Sequence, residues 1–438
     1  MACCAVPLPQ SLVPRERHFR VPKMMTNFVP VFSYGMGVES TALLLRLLEE
    51  PSCRDFDIGE LIVISAQTGD EWEDTGRDVE RHILPRLRKH NVRYVQVGRG
   101  GHFERDGIFV LDDSRQPQRC MVAGHYKLSD ELRTAGTVPQ FGGEHRCSLK
   151  FKAFVIETWM NENIFDPVRH TFGYNAEEQA RVAKSDTAIA GRARITFGFN
   201  ADELTRVNKG KQYDRPDRVG HYPLVKWGWG RARCLAYIKE ITGVEWRKSA
   251  CVQCPFAAVD DKLLARQREF PAQTAEAMIL EGLSLAMNPR GQLFKKRPLY
   301  QIVGDSGNVQ ATVQVALREA TTPWALYRVG RMYHGKGKAR RCVERLREFA
   351  SKSAAFESVI ERGQQENLQI REMHGLSYAY VREREQAYPT TEEYYVAALA
   401  VIDAKARHGM ENFDARWQKM DDLYCGRDDL PLFSNTGE

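Results

Sequence analysis

The chain has no apolar run near the roughly 18 residues that a membrane-spanning helix needs, and its mean hydropathy is −0.47. It also lacks the cysteine density of a small secreted scaffold, since ten cysteines are spread over 438 residues. Strong charge of either sign is missing too. Lys and Arg number 63 against 57 Asp and Glu, a net +6, which tolerates an anionic substrate or a nucleic acid without requiring one. The opening MACCAVPLPQSLVPRERHFRVPK contains no apolar core of a secretory leader. These absences predict a cytoplasmic protein with no membrane partner. They exclude collagen-like and disulfide-scaffold classes. No Ser–His–Asp order and no His-Glu-x-x-His helix is present, so serine-hydrolase and zincin chemistry find no support.

What is present reads as an ordinary globular chain, 43% hydrophobic and 27% charged, long enough for two or three domains. Prolines 7, 9, 14 and 22 make residues 1–27 a flexible tail. Phe28–Phe32 is a short apolar strand, 33–40 a glycine-containing turn, and Thr41–Glu50 a helix. Leu61–Ile64 is a second buried strand, about 72–89 a charged helix, and Tyr94–Val97 a third strand. Strands alternating with helices predict an α/β fold with a parallel sheet. From about 100 to 170 the chain reads as loop-rich, then helical near 148–160. A local duplication aligns Thr171-Phe-Gly-Tyr-Asn-Ala with Thr196-Phe-Gly-Phe-Asn-Ala; a solenoid would need a third copy. The Arg- and Glu-rich stretch Ala339–Ala350 and residues 391–408 have helical spacing, which predicts a mainly helical region over 301–438 with a frayed acidic end at 421–438.

The strongest motif is Phe32-Ser33-Tyr34-Gly35-Met36-Gly37-Val38-Glu39-Ser40-Thr41. A buried strand runs into small residues, and a helix starts at once. Glycines let backbone approach a phosphate, and N–H groups at a helix N-terminus attract anions. Ser33, Ser40 and Thr41 add hydroxyls. It is neither a Walker A loop, which ends in Gly-Lys-Ser/Thr, nor a dinucleotide fingerprint.

This loop resembles the PP-loop of ATP pyrophosphatases, the adenine nucleotide alpha hydrolase-like superfamily. Thr68-Gly69-Asp70-Glu71-Trp72-Glu73-Asp74-Thr75 resembles a signature of the phosphoadenosine phosphosulfate (PAPS) reductase-like branch. Cys147-Ser148-Leu149-Lys150, then Gly198–Glu203 with Arg206, then Tyr222-Pro223-Leu224 with Trp227, then Cys251-Val252-Gln253-Cys254-Pro255 follow in that branch's order. The resemblance covers about 28–300 and implies a Rossmann-like α/β/α sandwich. It implies an adenine-nucleotide site made by Ser33, Tyr34, Gly35, Gly37, Glu39, Ser40, Thr41, Thr68 and Gly69, with Mg²⁺ assisting. Ser40, Lys150 and Arg206 are its candidate catalytic residues, and Lys152 and Arg181 are further cations for phosphate charge. Two departures accompany it: Gln67 stands where an acidic residue usually precedes Thr-Gly, and the reductase's C-terminal cysteine motif is absent, since Cys425 lies between Tyr424 and Gly426.

Cys251-x-x-Cys254 places two thiols on one turn, the spacing that clamps Zn²⁺ or one edge of a 4Fe–4S cluster. Cys147 is the third candidate ligand, and His145, Cys120 or Cys234 the fourth. Trp227 and Trp229 fit core packing better than stacking on a base. The expected activity is cleavage of ATP between the α and β phosphates to adenylate an acceptor, with a nucleic acid or a sulfur-donor protein as partner. The alternatives are a sulfonucleotide reductase using Cys342 or Cys425, and a non-catalytic nucleic-acid-binding or defence-complex subunit.

Overall fold

The computed structural model describes residues 28–140, 145–165, 168–172, 193–197, 220–335, 339–403 and 415–420. Short apolar runs without polar alternation become the strands of its first sheet: β1 (Val29–Ser33), β2 (Ile62–Ala66) and β3 (Arg93–Arg99). Between them lie α1 (Val38–Glu49), then α2 (Glu73–Asp78) and α3 (Leu84–Lys89), which a π-helical turn joins. There follow β4 (Ile108–Ser114), α4 (Leu128–Ala135), α5 (Phe154–Asn163), β5 (Val168–Phe172), β6 (Ala193–Phe197), β7 (Gly220–His221) and α6 (Arg231–Thr242).

The sheet order is β4-β3-β2-β1-β5-β6-β7. All pairs are parallel except β3 with β4. Successive side chains point to opposite faces of a strand, and this fixes the layering. Val31, Ile62, Ile64, Val95 and Val97 meet Val155, Ile156 and Trp159 of α5 on one face. Phe32, Val63 and Tyr94 meet α1, α3 and α6 on the other. The expected α/β fold with a parallel sheet is therefore present. The antiparallel strand β4 and helix α4 lie in the segment that reads as loop. The duplicated strands are β5 and β6, side by side and in register: Thr171 pairs with Thr196 and Phe172 with Phe197, the equivalent residues of the two copies.

The rest of the chain forms α7 (Asp261–Glu269), α8 (Pro271–Met287), α9 (Leu299–Asp305), α10 (Val309–Thr321), β8 (Trp324–Tyr333), β9 (Ala339–Phe349), α11 (Lys352–Gln365), β10 (Gln369–Met373), β11 (Leu376–Arg382) and β12 (Thr390–Leu399). The five strands make an antiparallel sheet, order β10-β11-β12-β8-β9. This corrects the mainly helical expectation for 301–438. Ala339–Phe349 is an edge strand: Cys342 and Val343 are buried on its two faces, and Arg341 donates to the Gly136 carbonyl at 3.0 Å. Thr390–Leu399 is a central strand, buried at every position. Its two glutamates are hidden by ion pairs, Glu392 with Arg331 at 2.9 Å and Glu393 with Arg328 at 2.8 Å.

One face of this second sheet turns Tyr378 and Tyr394 to α8, where their hydroxyls donate to the Leu285 and Ala286 carbonyls. The other face packs on α11 through Ala355 and Val359. Ala277 and Leu280 of α8 pack instead with Leu128, Leu132 and Phe151. Helix α8 is thus a wall shared by both parts. No helix among the described residues is long and apolar enough to cross a membrane.

Candidate anion-binding site at the end of the parallel sheet

Strand order reverses relative to chain order between β1 and β5, and the carboxyl ends of the strands flanking such a point frame the ligand crevice of open α/β sheets. The loop leaving β1 is residues 34–37. Its carbonyls are all engaged: Ser65 Oγ donates to Tyr34 O at 2.8 Å, Ser249 Oγ to Gly35 O at 3.0 Å, and Trp246 Nε1 to Met36 O at 2.9 Å. Among the described residues, no hydrogen bond engages the N–H groups of Gly35, Met36 or Gly37. Met36 sits at φ +59°, a left-handed conformation that an ordinary side chain occupies at a cost of about 1 kcal/mol or more. Its side chain is buried, with Cys120 Sγ at 3.6 Å from the thioether.

The sequence-assigned residues divide around this loop. A Cβ on Gly35 would meet nothing within 4 Å, whereas one on Gly37 would lie 3.2 Å from Ser249 Oγ. Ser33 is buried at the strand end. Tyr34 OH and Thr41 Oγ1 pair at 3.1 Å inside the core, and burial pushes the Tyr34 phenol up. Ser40 Oγ donates to Gly37 O at 3.1 Å, and Glu39 accepts from Arg231 at 2.6 Å. Tyr34, Ser40 and Thr41 shape the loop from beneath, and Gly35 lines its open side. Trp227 and Trp229 lie under the guanidinium of Arg46 on the back of α1, 3.9 and 4.5 Å from it, as core packing requires.

The Thr68–Thr75 stretch is mostly scaffold. Gly69 has φ +84°, and a Cβ there would come 2.6 Å from Lys127 Cγ, so only glycine fits. The Thr68 carbonyl accepts from Leu128 N at 2.9 Å, and Asp70 accepts from Ser129 N at 2.6 Å and from Gln253 at 3.0 Å. Asp74 is held by Arg266 Nε at 3.0 Å and Arg247 at 2.6 Å. Gln67, in the place of the usual acid, lies buried, donating to Gln96 Oε1 at 3.3 Å.

Glu71 Oε1 accepts from Ala250 N at 2.8 Å and Thr75 at 3.1 Å. Burial nevertheless pushes its carboxyl up from an ordinary 4.5 to about 7. The folded state therefore binds this proton more tightly than the unfolded chain does. Stability from Glu71 is fullest below pH 4.5 and falls by about 3 kcal/mol as the pH rises to 7. Glu71→Gln keeps an acceptor for Ala250 N but cannot titrate. Urea melts from pH 4.5 to 7.5 are expected to show a shallower acid-to-neutral decline for the variant than for the wild type. Parallel curves would contradict this assignment.

Cys147 lies within electrostatic reach of Cys254. Cys251 and Cys147 pack against the cluster of Leu128, Phe151 and Leu280. Cys120 and Cys234 are buried in the α1–α6 core. Cys251 Sγ lies 3.0 Å from Thr68 Oγ1, and burial pushes the thiols of Cys251 and Cys254 up. Among the described residues, no group of three His, Cys, Asp or Glu side chains is arranged to hold a metal ion. His145 packs edge-on against Phe256, ring centroids 4.7 Å apart. Lys150 is paired with Glu131 at 2.8 Å. Lys152 lies within electrostatic reach of Glu71, Cys251 and Cys254. Cys342 is buried against Met332, Trp417 and Met420. Arg181, Gly198–Glu203, Arg206 and Cys425 lie outside the described residues.

Sequence reasoning missed Trp246, Ser249 and Arg266. Their indole, hydroxyl and guanidinium donors flank the Cys251–Cys254 turn, but nothing local signals partners some 200 positions away. A shallow depression between α8 and α10 is lined by Ala272, Gln273, Ile279 and Gln314; Gln273 also donates to Glu71 O at 3.0 Å, and the charged members, Glu276 and Arg318, pair at 2.8 Å. Comparison with protein-family models, with curated proteins and with solved structures found no match for this chain.

Proposed function

We propose that the chain is a PP-loop enzyme of the PAPS reductase-like kind, on a Rossmann-like core, that binds ATP and cleaves it between the α and β phosphates. The observation that carries this reading is the loop 34–37. Its carbonyls are tied inward, and the amides of Gly35, Met36 and Gly37 have no acceptor among the described residues, at the carboxyl end of β1 beside the strand-order reversal. Such a cradle suits phosphate oxygens. The likeness of the loop and of Thr68–Thr75 to that branch supplies the choice of adenine nucleotide.

In this scheme an acceptor oxygen attacks the α phosphorus. The bond from that phosphorus to the bridging oxygen breaks, and pyrophosphate leaves with the electron pair. The loop amides hold the phosphates in line, which is worth most where water is excluded. The described residues offer no carboxylate cluster for a divalent ion. Mg²⁺ would therefore be held chiefly by the triphosphate and water, and would supply charge neutralisation. The acceptor class we favour is a nucleic acid, with a sulfur-donor protein as second partner and the cytoplasm as compartment.

Calorimetric titration tests this directly. ATP with Mg²⁺ is expected to bind and to be displaced by its α,β-methylene analogue, and pyrophosphate exchange into ATP is expected once an acceptor is supplied. Absence of ATP binding by the intact chain overturns the reading.

A further inference from the structure

The segment from Trp246 to Gln253 crosses the carboxyl ends of β1 and β2 as a strap. It is tied to the second strand's loop by Ala250 N to Glu71 Oε1 at 2.8 Å, Val252 N to Asp70 O at 2.9 Å, and Gln253 to Asp70 at 3.0 Å. It is tied to the first strand's loop by two side chains alone, Trp246 to Met36 O and Ser249 to Gly35 O. The indole is buried and reaches Met36, whose φ of +59° needs an external restraint; Ser249 is half-exposed at the loop's rim.

A peptide unit carries its N–H opposite its carbonyl. Turning the Gly35 and Met36 carbonyls toward the strap therefore turns the N–H groups of Met36 and Gly37 away from it. If either carbonyl swung outward, its partial negative charge would face a bound anion.

We infer that Trp246 and Ser249 are positioning residues for a polyphosphate at this loop: they set the direction of its amides without being the main contact. The inference rests on the nucleotide reading above. It adds that affinity for the phosphate chain is controlled from a strap some 200 residues along the sequence, by two neutral donors and not by a lysine in the loop.

The test uses the full chain with ATP and Mg²⁺, and inorganic pyrophosphate as a second probe. Ser249→Ala removes a rim hydroxyl and is expected to weaken both probes by about fivefold to tenfold, the range of one hydrogen bond, with an unchanged melting temperature. Ser249→Thr restores the donor and is expected to restore affinity, which a purely structural role would not require. Trp246→Phe keeps most of the ring but loses Nε1, and is expected to weaken both probes similarly. Unchanged affinity in Ser249→Ala and Trp246→Phe, with the wild type binding, overturns this inference alone. A wild type that binds neither probe overturns the nucleotide reading together with it.

Discussion

Replacing Gly35 by valine is expected to remove ATP binding while leaving the melting temperature where it is. The two halves of that expectation have separate grounds. A Cβ at Gly35 would meet no atom within 4 Å, and the residue is not among those with a left-handed backbone. The folded protein therefore has room for a branched side chain. That room adjoins the amides of Gly35, Met36 and Gly37, which have no partner among the described residues. Two methyl groups placed there displace phosphate oxygens, and affinity is expected to fall by at least about tenfold, or about 1.4 kcal/mol. Gly37→Ala is the informative contrast. Its new methyl would press on Ser249 Oγ at 3.2 Å, so it disturbs the strap and is expected to lower stability as well as affinity. Calorimetry and a thermal melt on the two variants separate these outcomes. Valine at 35 with undiminished ATP binding would mean that the loop is not where the nucleotide sits.

Residues 28–97 were largely legible because their signals are local. Val29–Ser33, Ile62–Ala66 and Arg93–Arg99 have apolar cores buried between two layers of helices, and an unbroken short apolar run has few other destinations. The carboxyl-terminal sheet was not legible, for the opposite reason. Arg340, Arg341, Glu344, Arg345, Arg347 and Glu348 on β9 fit a solvated helix as well as an edge strand, and pairing with β8 decides between them. Thr390–Leu399 hides two glutamates that composition would put in water; Arg328 and Arg331 from the neighbouring strand make that burial tolerable. The candidate site divides similarly. The glycine loop announces itself by spacing, whereas the donors that orient it come from Trp246 and Ser249, and no periodicity records a partner so distant in sequence. The acidic Thr68–Thr75 signature was legible as a motif but not as a role. Asp70, Glu71, Asp74 and Thr75 bind neighbouring segments of the chain itself.

The second large effect follows from that last point. Arg266→Ala is expected to cost about 3 kcal/mol or more of stability. Arg266 is 7% exposed and its partner Asp74 is 6% exposed. The guanidinium donates to Asp74 Oδ1 from Nε at 3.0 Å and also from Nη2, reaches Thr75 Oγ1 at 2.8 Å and Lys248 O at 2.7 Å, and lies 5.0 Å from the Trp72 ring centroid. Removing it leaves a buried carboxylate with only the Thr75 N–H at 3.0 Å and Arg247, itself half-exposed, and opens a void beside Trp72. An unpaired buried charge is costly chiefly through lost hydration, so removing both partners should be milder than the sum of the single losses. Urea melts of Arg266→Ala, Asp74→Ala and the double variant are expected to show a coupling of about 1–3 kcal/mol. Additive losses would show that the pair is an incidental contact. The bond to Lys248 O has a further consequence, because Lys248 adjoins Ser249 in the strap. Arg266→Lys keeps the charge near Asp74 but cannot span the carboxylate, Thr75 and Lys248 together. It is expected to retain more stability than alanine and still to weaken ATP binding. Stability and nucleotide affinity would then part company at a residue that touches no ligand, as they should if the strap transmits the geometry of α7 to the phosphate loop.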